Sequence, residues 1–211
     1  WIATANVVLY CGAKPVLVDI DLSTFNIDAD DIARKLTDNT KAIIAVHLFG
    51  LCADMDAIKA VAPDVPIIED AACAAGAGYK GSPAGALGDL GCFSFHPRKS
   101  ITTGEGGMVT TNNEALSEKV NMLRNHGASI SEEQRHHGPK PFILPDFNIL
   151  GFNYRMTDLQ GAVGVVQMGK LNQLIDEREA AAQNYNEALG DIDWIQTPNY
   201  GDDYSHGWQS Y

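Results

Sequence analysis

Short apolar runs and helix-spaced apolar positions alternate along this chain. Trp1 to Cys11 reads as a helix that stops at Gly12, a residue that tolerates the left-handed turn at a helix end. Pro15 to Ile20 (PVLVDI) reads as a strand, Asp28 as the cap of a helix running to about Leu36, and Lys41 to His47 as the next strand. Asp54 then starts another helix, and Pro66 to Asp70 (PIIED) is a short apolar strand that ends in two carboxylates. Two further strands, Leu90 to Phe95 and Met108 to Thr111, flank a turn holding His96, Pro97, Arg98 and Lys99 and a Thr- and Gly-rich corner, Thr102 to Gly107. Helices alternating with short apolar strands predict an α/β fold with a mostly parallel sheet.

The second half is more helical. Glu114 to Asn125 reads as a helix, and Ala128 to Leu150 is polar, contains proline and has no clear period, so a long loop is expected there. Thr157-x-x-Gln160 makes a capping box. Beyond it Leu159, Ala162, Val163, Val166, Leu171, Leu174 and Ile175 keep helical spacing, which predicts a long helix continuing to about Leu189. No internal repeat or low-complexity segment interrupts the pattern.

With 211 residues, the chain suffices for one sizeable core, or for one domain with part of another. Fifteen basic and 27 acidic residues give a net charge of -12, which disfavours nucleic acid or an anionic membrane as partner. The longest apolar run, Ala42 to Ala53, contains His47 and is too short to span a bilayer. Cys11, Cys52, Cys73 and Cys92 are scattered without a CxxC pair, so a reduced, cytoplasmic protein without a structural metal is expected. The histidines His126, His136 and His137 have no ligand spacing either.

Candidate chemistry centres on Lys99. It lies on a loop between two strands, where α/β folds place function, although a lone lysine is ordinarily a solvated charge. Its neighbourhood changes that reading. Asp70 is delivered to the end of another strand and is followed by the small-residue run AACAAGAG. A strand-end Asp and a loop lysine suit a pyridoxal phosphate (PLP) site, with the lysine forming the Schiff base and the Asp partnering the pyridinium nitrogen. Taken alone, Asp70 would equally serve as a turn cap, Ser94 as a turn former and Asn153 as a turn asparagine. Strand alternation puts Glu69 on the face opposite Asp70, in a structural role. His47 reads as a loop organiser. The glycines of TTGEGG lack the Gly-Lys-Thr of a P-loop and are expected to allow a tight corner instead.

The run SFHPRK followed by TTGEGG, preceded by IIEDAACAAGA, resembles the DegT/StrS-type sugar-nucleotide aminotransferases. The resemblance extends from Trp1–Asn6 to the closing SHGWQSY. It implies the PLP-dependent transferase fold type I, a mostly parallel central sheet flanked by helices. Residues 1–175 would form the large PLP-binding domain without its N-terminal part, and 176–211 the linking helix and the start of a small domain, so that the chain is a fragment of a longer enzyme.

By the same resemblance Lys99 is the catalytic lysine that binds the cofactor and shuttles the proton, and Asp70 faces the pyridine nitrogen. Ser94 contacts the cofactor phosphate, and Asn153 reaches that phosphate from the other subunit of a homodimer with a shared active site. Trp1 matches an aromatic that stacks on the ring. Independently of the resemblance, His96 lies close to Lys99 and is expected to approach substrate, although a strand-end histidine is more often a hydrogen-bonded structural residue. Cys73 stands near the phenolic oxygen, where the family more often has Gln or His. The implied activity moves an amino group from glutamate to a keto group of a nucleotide-linked sugar, for surface polysaccharide or secondary metabolites. Alternatives are an aminocyclitol substrate, a PLP-dependent dehydratase, whose relatives carry histidine in place of the lysine, and a catalytically silent dimeric scaffold.

Overall fold

The computed structural model describes the backbone of residues 1–211 and every side chain but that of Glu132. At its centre is a four-stranded sheet in the order β1-β2-β5-β6, formed by Ile43–Val46 (β1), Ile67–Asp70 (β2), Leu90–Ser94 (β5) and Gly107–Thr110 (β6). The first three strands run parallel, and β6 returns antiparallel to β5 with Ser94 opposite Gly107. Parallel neighbours need crossovers. The helix Met55–Val61 (α3) supplies the first; the second contains the two-residue strands Gly78–Tyr79 (β3) and Ser82–Pro83 (β4). These join Tyr204–Ser205 (β7) in a small antiparallel sheet.

Helices begin where polar side chains take the first free amides. Asp28 caps Ala29–Lys35 (α2) through Asp30 N, Asp54 caps α3 through Ala57 N, and Asn113 caps Glu114–Arg124 (α4) through Leu116 N. Ile43 and Ala45 of β1 and Ile67 of β2 bury one face of the sheet in a core shared with Ile32 of α2 and Met55 and Ile58 of α3. The opposite face, carrying Val46, Ile68 and Asp70, is only half-buried. Ile2–Tyr10 (α1) reaches it through Thr4.

Three expectations change. Pro15–Ile20 forms no strand: its one ladder contact is the bridge Ile20–Ile27, and Val16 and Leu17 are exposed. An extended apolar run becomes a strand only where a neighbouring strand takes its amides and carbonyls. Second, the long helix is two helices, Asp158–Met168 (α6) and Leu171–Leu189 (α7), separated at Gly169 and Lys170. Glycine is a poor helix former, and the apolar spacing continues straight across the break. Third, the loop after α4 contains a short helix, Glu132–His137 (α5), opened by a capping box between Ser131 and Gln134. The capping box expected at Thr157 and Gln160 is present.

Candidate active site

The carboxyl ends of the parallel strands β2 and β5 lie side by side, with Asp70 opposite Cys92 and Ser94 one alternation further on. Such edges are where open α/β sheets gather their chemistry. Side-chain alternation separates the two carboxylates of β2. Glu69 turns into the protein. It is fully buried and receives His47 Nε2 at 2.8 Å together with the backbone amides of Gly85, Leu87 and Gly88 at 2.6–2.7 Å. Burial pushes its carboxyl up, but the His47 ring and the Gly88 and Gly85 amides outweigh that, and the net shift is downward. His47 also accepts Ala53 N at its Nδ1, which makes it the loop organiser expected of it.

Asp70 turns the other way. Oδ1 accepts Ala72 N at 3.2 Å, the turn-capping bond, while Oδ2 accepts the Thr4 hydroxyl of α1 at 2.7 Å. Capping therefore uses one oxygen only. The next turns carry Cys73, whose Sγ accepts a hydrogen bond from Lys99 Nζ at 3.0 Å. Lys99 is held at the end of a tight turn, its N–H bonded to His96 O at 2.9 Å. Among the described residues neither Asp70 nor Lys99 enters an ion pair, although both are half-buried at one sheet edge. A carboxylate without a cation and an amine without a carboxylate, at one sheet edge, fit a ligand that supplies a ring N–H to the one and an aldehyde to the other.

Ser94 Oγ accepts His96 N at 3.3 Å, which leaves its own proton to give. The His96 ring organises the same turn: Nδ1 accepts Arg98 N at 3.2 Å, and Nε2 lies 3.8 Å from Glu105. The corner 102–107 closes this side of the site. Gly106 has φ +152°, and a Cβ there would meet Thr103 Oγ1 at 2.5 Å. The α6 side chains Gln160 and Gln167 fasten the corner through Glu105 O and Thr102 N.

Two expected site residues stand apart from this cluster. Trp1 is 88 % exposed at the start of α1, three residues before Thr4. Asn153 bridges Asn125 at the end of α4, with Arg155 bonded to Asn125 Oδ1 at 2.8 Å. Neither contacts Asp70 or Lys99 within this chain. An apolar cavity of about 530 Å³ sits between the other sheet face and α6, lined by Phe93, Met108, Val165 and Met168. Neither Lys99 nor Asp70 lines it. Cys92, beneath the site, has its thiol pushed up by burial and then by Asp70 and Glu69. Among the described residues no cluster of three His, Cys, Asp or Glu could hold a metal, and no helix is long and apolar enough to cross a membrane.

The sequence reading missed two contributors. Thr4 binds Asp70 from 66 residues away. The segment 206–211 packs against the Lys99 turn: Gln209 Nε2 donates to Arg98 O at 2.7 Å, and Ser100 Oγ donates to Gln209 Oε1 at 3.4 Å. Neither leaves a periodic or motif signal.

Known proteins share this sequence and overall fold. GDP-perosamine synthase of Caulobacter vibrioides is 46 % identical over 191 residues, covering 90 % of this chain and 48 % of that protein. The spore coat polysaccharide biosynthesis protein SpsC of Bacillus subtilis is 38 % identical over 211 residues, covering 99 % and 54 %. The crystal structure of an aminotransferase from Psychrobacter cryohalolentis superposes with a TM-score of 0.93 at 36 % identity, covering 99 % of this chain and 55 % of that one. The chain spans about half the length of the curated relatives it matches. The profile of the DegT/DnrJ/EryC1/StrS aminotransferases matches residues 1–211 from end to end, and the chain belongs to that family.

Proposed function

We propose that this chain is the cofactor-binding part of a PLP-dependent aminotransferase that moves an amino group from glutamate to a keto group of a nucleotide-linked sugar. The observation that carries the reading is the pairing at one sheet edge of Asp70, on β2, with Lys99, whose amine lies 3.0 Å from Cys73 Sγ. Family membership supports the activity, and the relatives named for perosamine and for spore coat polysaccharide support a sugar substrate in polysaccharide biosynthesis. When bound, PLP supplies an aldehyde for amine exchange and a ring that accepts the electrons released at the reacting carbon.

The chain's own residues then have defined tasks. Lys99 Nζ would hold the cofactor covalently and, when free, would move the proton at the reacting carbon. Asp70 would face the ring nitrogen and keep it protonated, with the Thr4 hydroxyl fixing the carboxylate's orientation. Ser94 donates its hydroxyl to the cofactor phosphate. Cys73 stands beside the phenolic oxygen and holds the Lys99 amine when it is free. His96 would border the substrate side, and Trp1, exposed at the start of α1 three residues before Thr4, would supply a ring face to the cofactor. Asn153 serves the phosphate of a second subunit, which makes the enzyme a homodimer with shared sites. Residues 1–175 form the large domain and 176–211 lead into a small one, in a cytoplasmic enzyme.

The test is borohydride reduction of the full-length protein after incubation with PLP, followed by peptide mapping. A pyridoxyl group confined to Lys99 and lost in Lys99→Ala is the expected result. A folded protein that carries none, or carries it elsewhere, overturns the reading.

A further inference from the structure

We propose that Gln209 is a positioning residue for Lys99, setting the turn from which the amine reaches its partner. The inference rests on the reading of Lys99 as the cofactor lysine. A lysine side chain has four rotatable bonds, so its amine is held in place only if its Cα is held first. Both chain neighbours of Lys99 are tied to one side chain. Gln209 Nε2 donates to the Arg98 carbonyl at 2.7 Å, and the buried Ser100 hydroxyl donates to Gln209 Oε1 at 3.4 Å. A primary amide offers a donor and an acceptor on one planar group, which this two-sided grip requires.

Gln209 is itself anchored before it reaches the turn. Its N–H donates to Phe49 O at 2.9 Å, and Gly207 N donates to Gly50 O at 2.8 Å. From α7, Arg178 donates to the carbonyls of Trp208 at 2.8 Å and Gln209 at 3.3 Å, and the Trp208 indole N–H bonds Glu179. The Phe49–Gly50 loop that receives this segment also touches the turn of Cys73, since a Cβ on Gly50 would lie 3.1 Å from Cys73 O. The segment 206–211 thus contacts both sides of the Lys99–Cys73 contact: the lysine turn through the Gln209 amide, the cysteine turn through Gly50. No substrate or cofactor contact is needed for this role.

The experiment follows capture of PLP by the full-length protein, quenched with borohydride at timed intervals, and reads pyridoxyl on Lys99 alongside the thermal midpoint. Gln209→Ala is expected to slow capture about tenfold and, having lost two hydrogen bonds of the folded protein, to lower the midpoint by a few degrees. Gln209→Glu keeps the shape but sets a carboxylate oxygen against the Arg98 carbonyl, and is expected to be as slow. Ile58→Val trims the core away from this segment, and is expected to lower the midpoint while capturing at the wild-type rate. Wild-type capture by either Gln209 variant overturns the proposal. So does slowing in all three variants in proportion to lost stability, which marks a structural role only. Absence of the adduct in the wild-type protein overturns the Lys99 reading and this inference with it, an outcome distinct from either of those.

Discussion

Glu69 and Asp70 are consecutive, chemically alike and turned to opposite faces of one strand. Glu69 organises the core, receiving one histidine ring and three amides, so removing its charge leaves all of them without an acceptor of equal strength. Glu69→Gln places an NH₂ among amide donors and is expected to destabilise the protein by about 1–3 kcal/mol, the cost of leaving buried donors without an acceptor, measured by urea unfolding. Its carboxyl is held below the ordinary 4.5 in the folded protein. The stability it contributes is therefore complete above that value and is lost as pH falls through the lower, folded one. At Asp70 the hydroxyl of Thr4 is the removable partner. Thr4→Val keeps shape and loses one hydrogen bond, and is expected to weaken PLP binding about fivefold, read by equilibrium dialysis, with unfolding unchanged. The strand pattern alone revealed the division between the two carboxylates. It could not reveal Thr4 or Gln209, because side-chain contacts across 66 and 111 residues follow from the path of the chain and not from any local spacing.

Among the elements, those whose signal is local were readable in advance: capped helices, short buried strands, and the Gly-rich corner. Pro15–Ile20 shows the limit, since β-propensity describes fitness for a ladder and this stretch has none. The break between α6 and α7 escaped because apolar spacing on both sides stays in phase. The segment 206–211 carries two further expectations. Gly50 has φ +103°, and an added Cβ would lie 2.9–3.1 Å from three backbone atoms, two of them in that segment. Gly50→Ala is expected to cost about 1–3 kcal/mol from backbone strain and to lower the thermal midpoint. His206 stacks on Trp208 with ring centroids 3.9 Å apart, and burial holds its pKa down at about 4, against the opposing pull of Glu179. A depressed histidine stabilises the fold fully above its ordinary 6.5 and progressively less as pH falls toward 4. On the order of 3 kcal/mol is at stake over that window. Hydrogen exchange at Gly207 and Gln209 is expected to accelerate between pH 6.5 and 4 relative to the core strands, once corrected for intrinsic rates.

On the scale of the whole molecule, apolar surface is concentrated rather than scattered. No residue of α1 is buried, although seven of its nine are apolar, and Phe142, Leu144, Leu150, Phe152 and Tyr154 are exposed along the segment that carries Asn153. Patches of this kind mark contact surfaces. If the proposed homodimer forms through this face, Leu150, 91 % exposed in this chain, would lie in the contact that brings Asn153 to the other site. Leu150→Glu in the full-length protein is expected to yield monomer in sedimentation at micromolar concentration, and to lose PLP as it does so. A variant that stays dimeric would put the contact elsewhere.

The distance in sequence between the Lys99 turn and its clamp also has a consequence for biosynthesis. Arg98 leaves the ribosome 111 residues before Gln209. At ordinary translation speeds the turn waits roughly 5–20 s without it. On that proposal a nascent chain presents the lysine before its turn is clamped, and capture of the cofactor would run at the slower, unclamped rate until residue 209 has emerged.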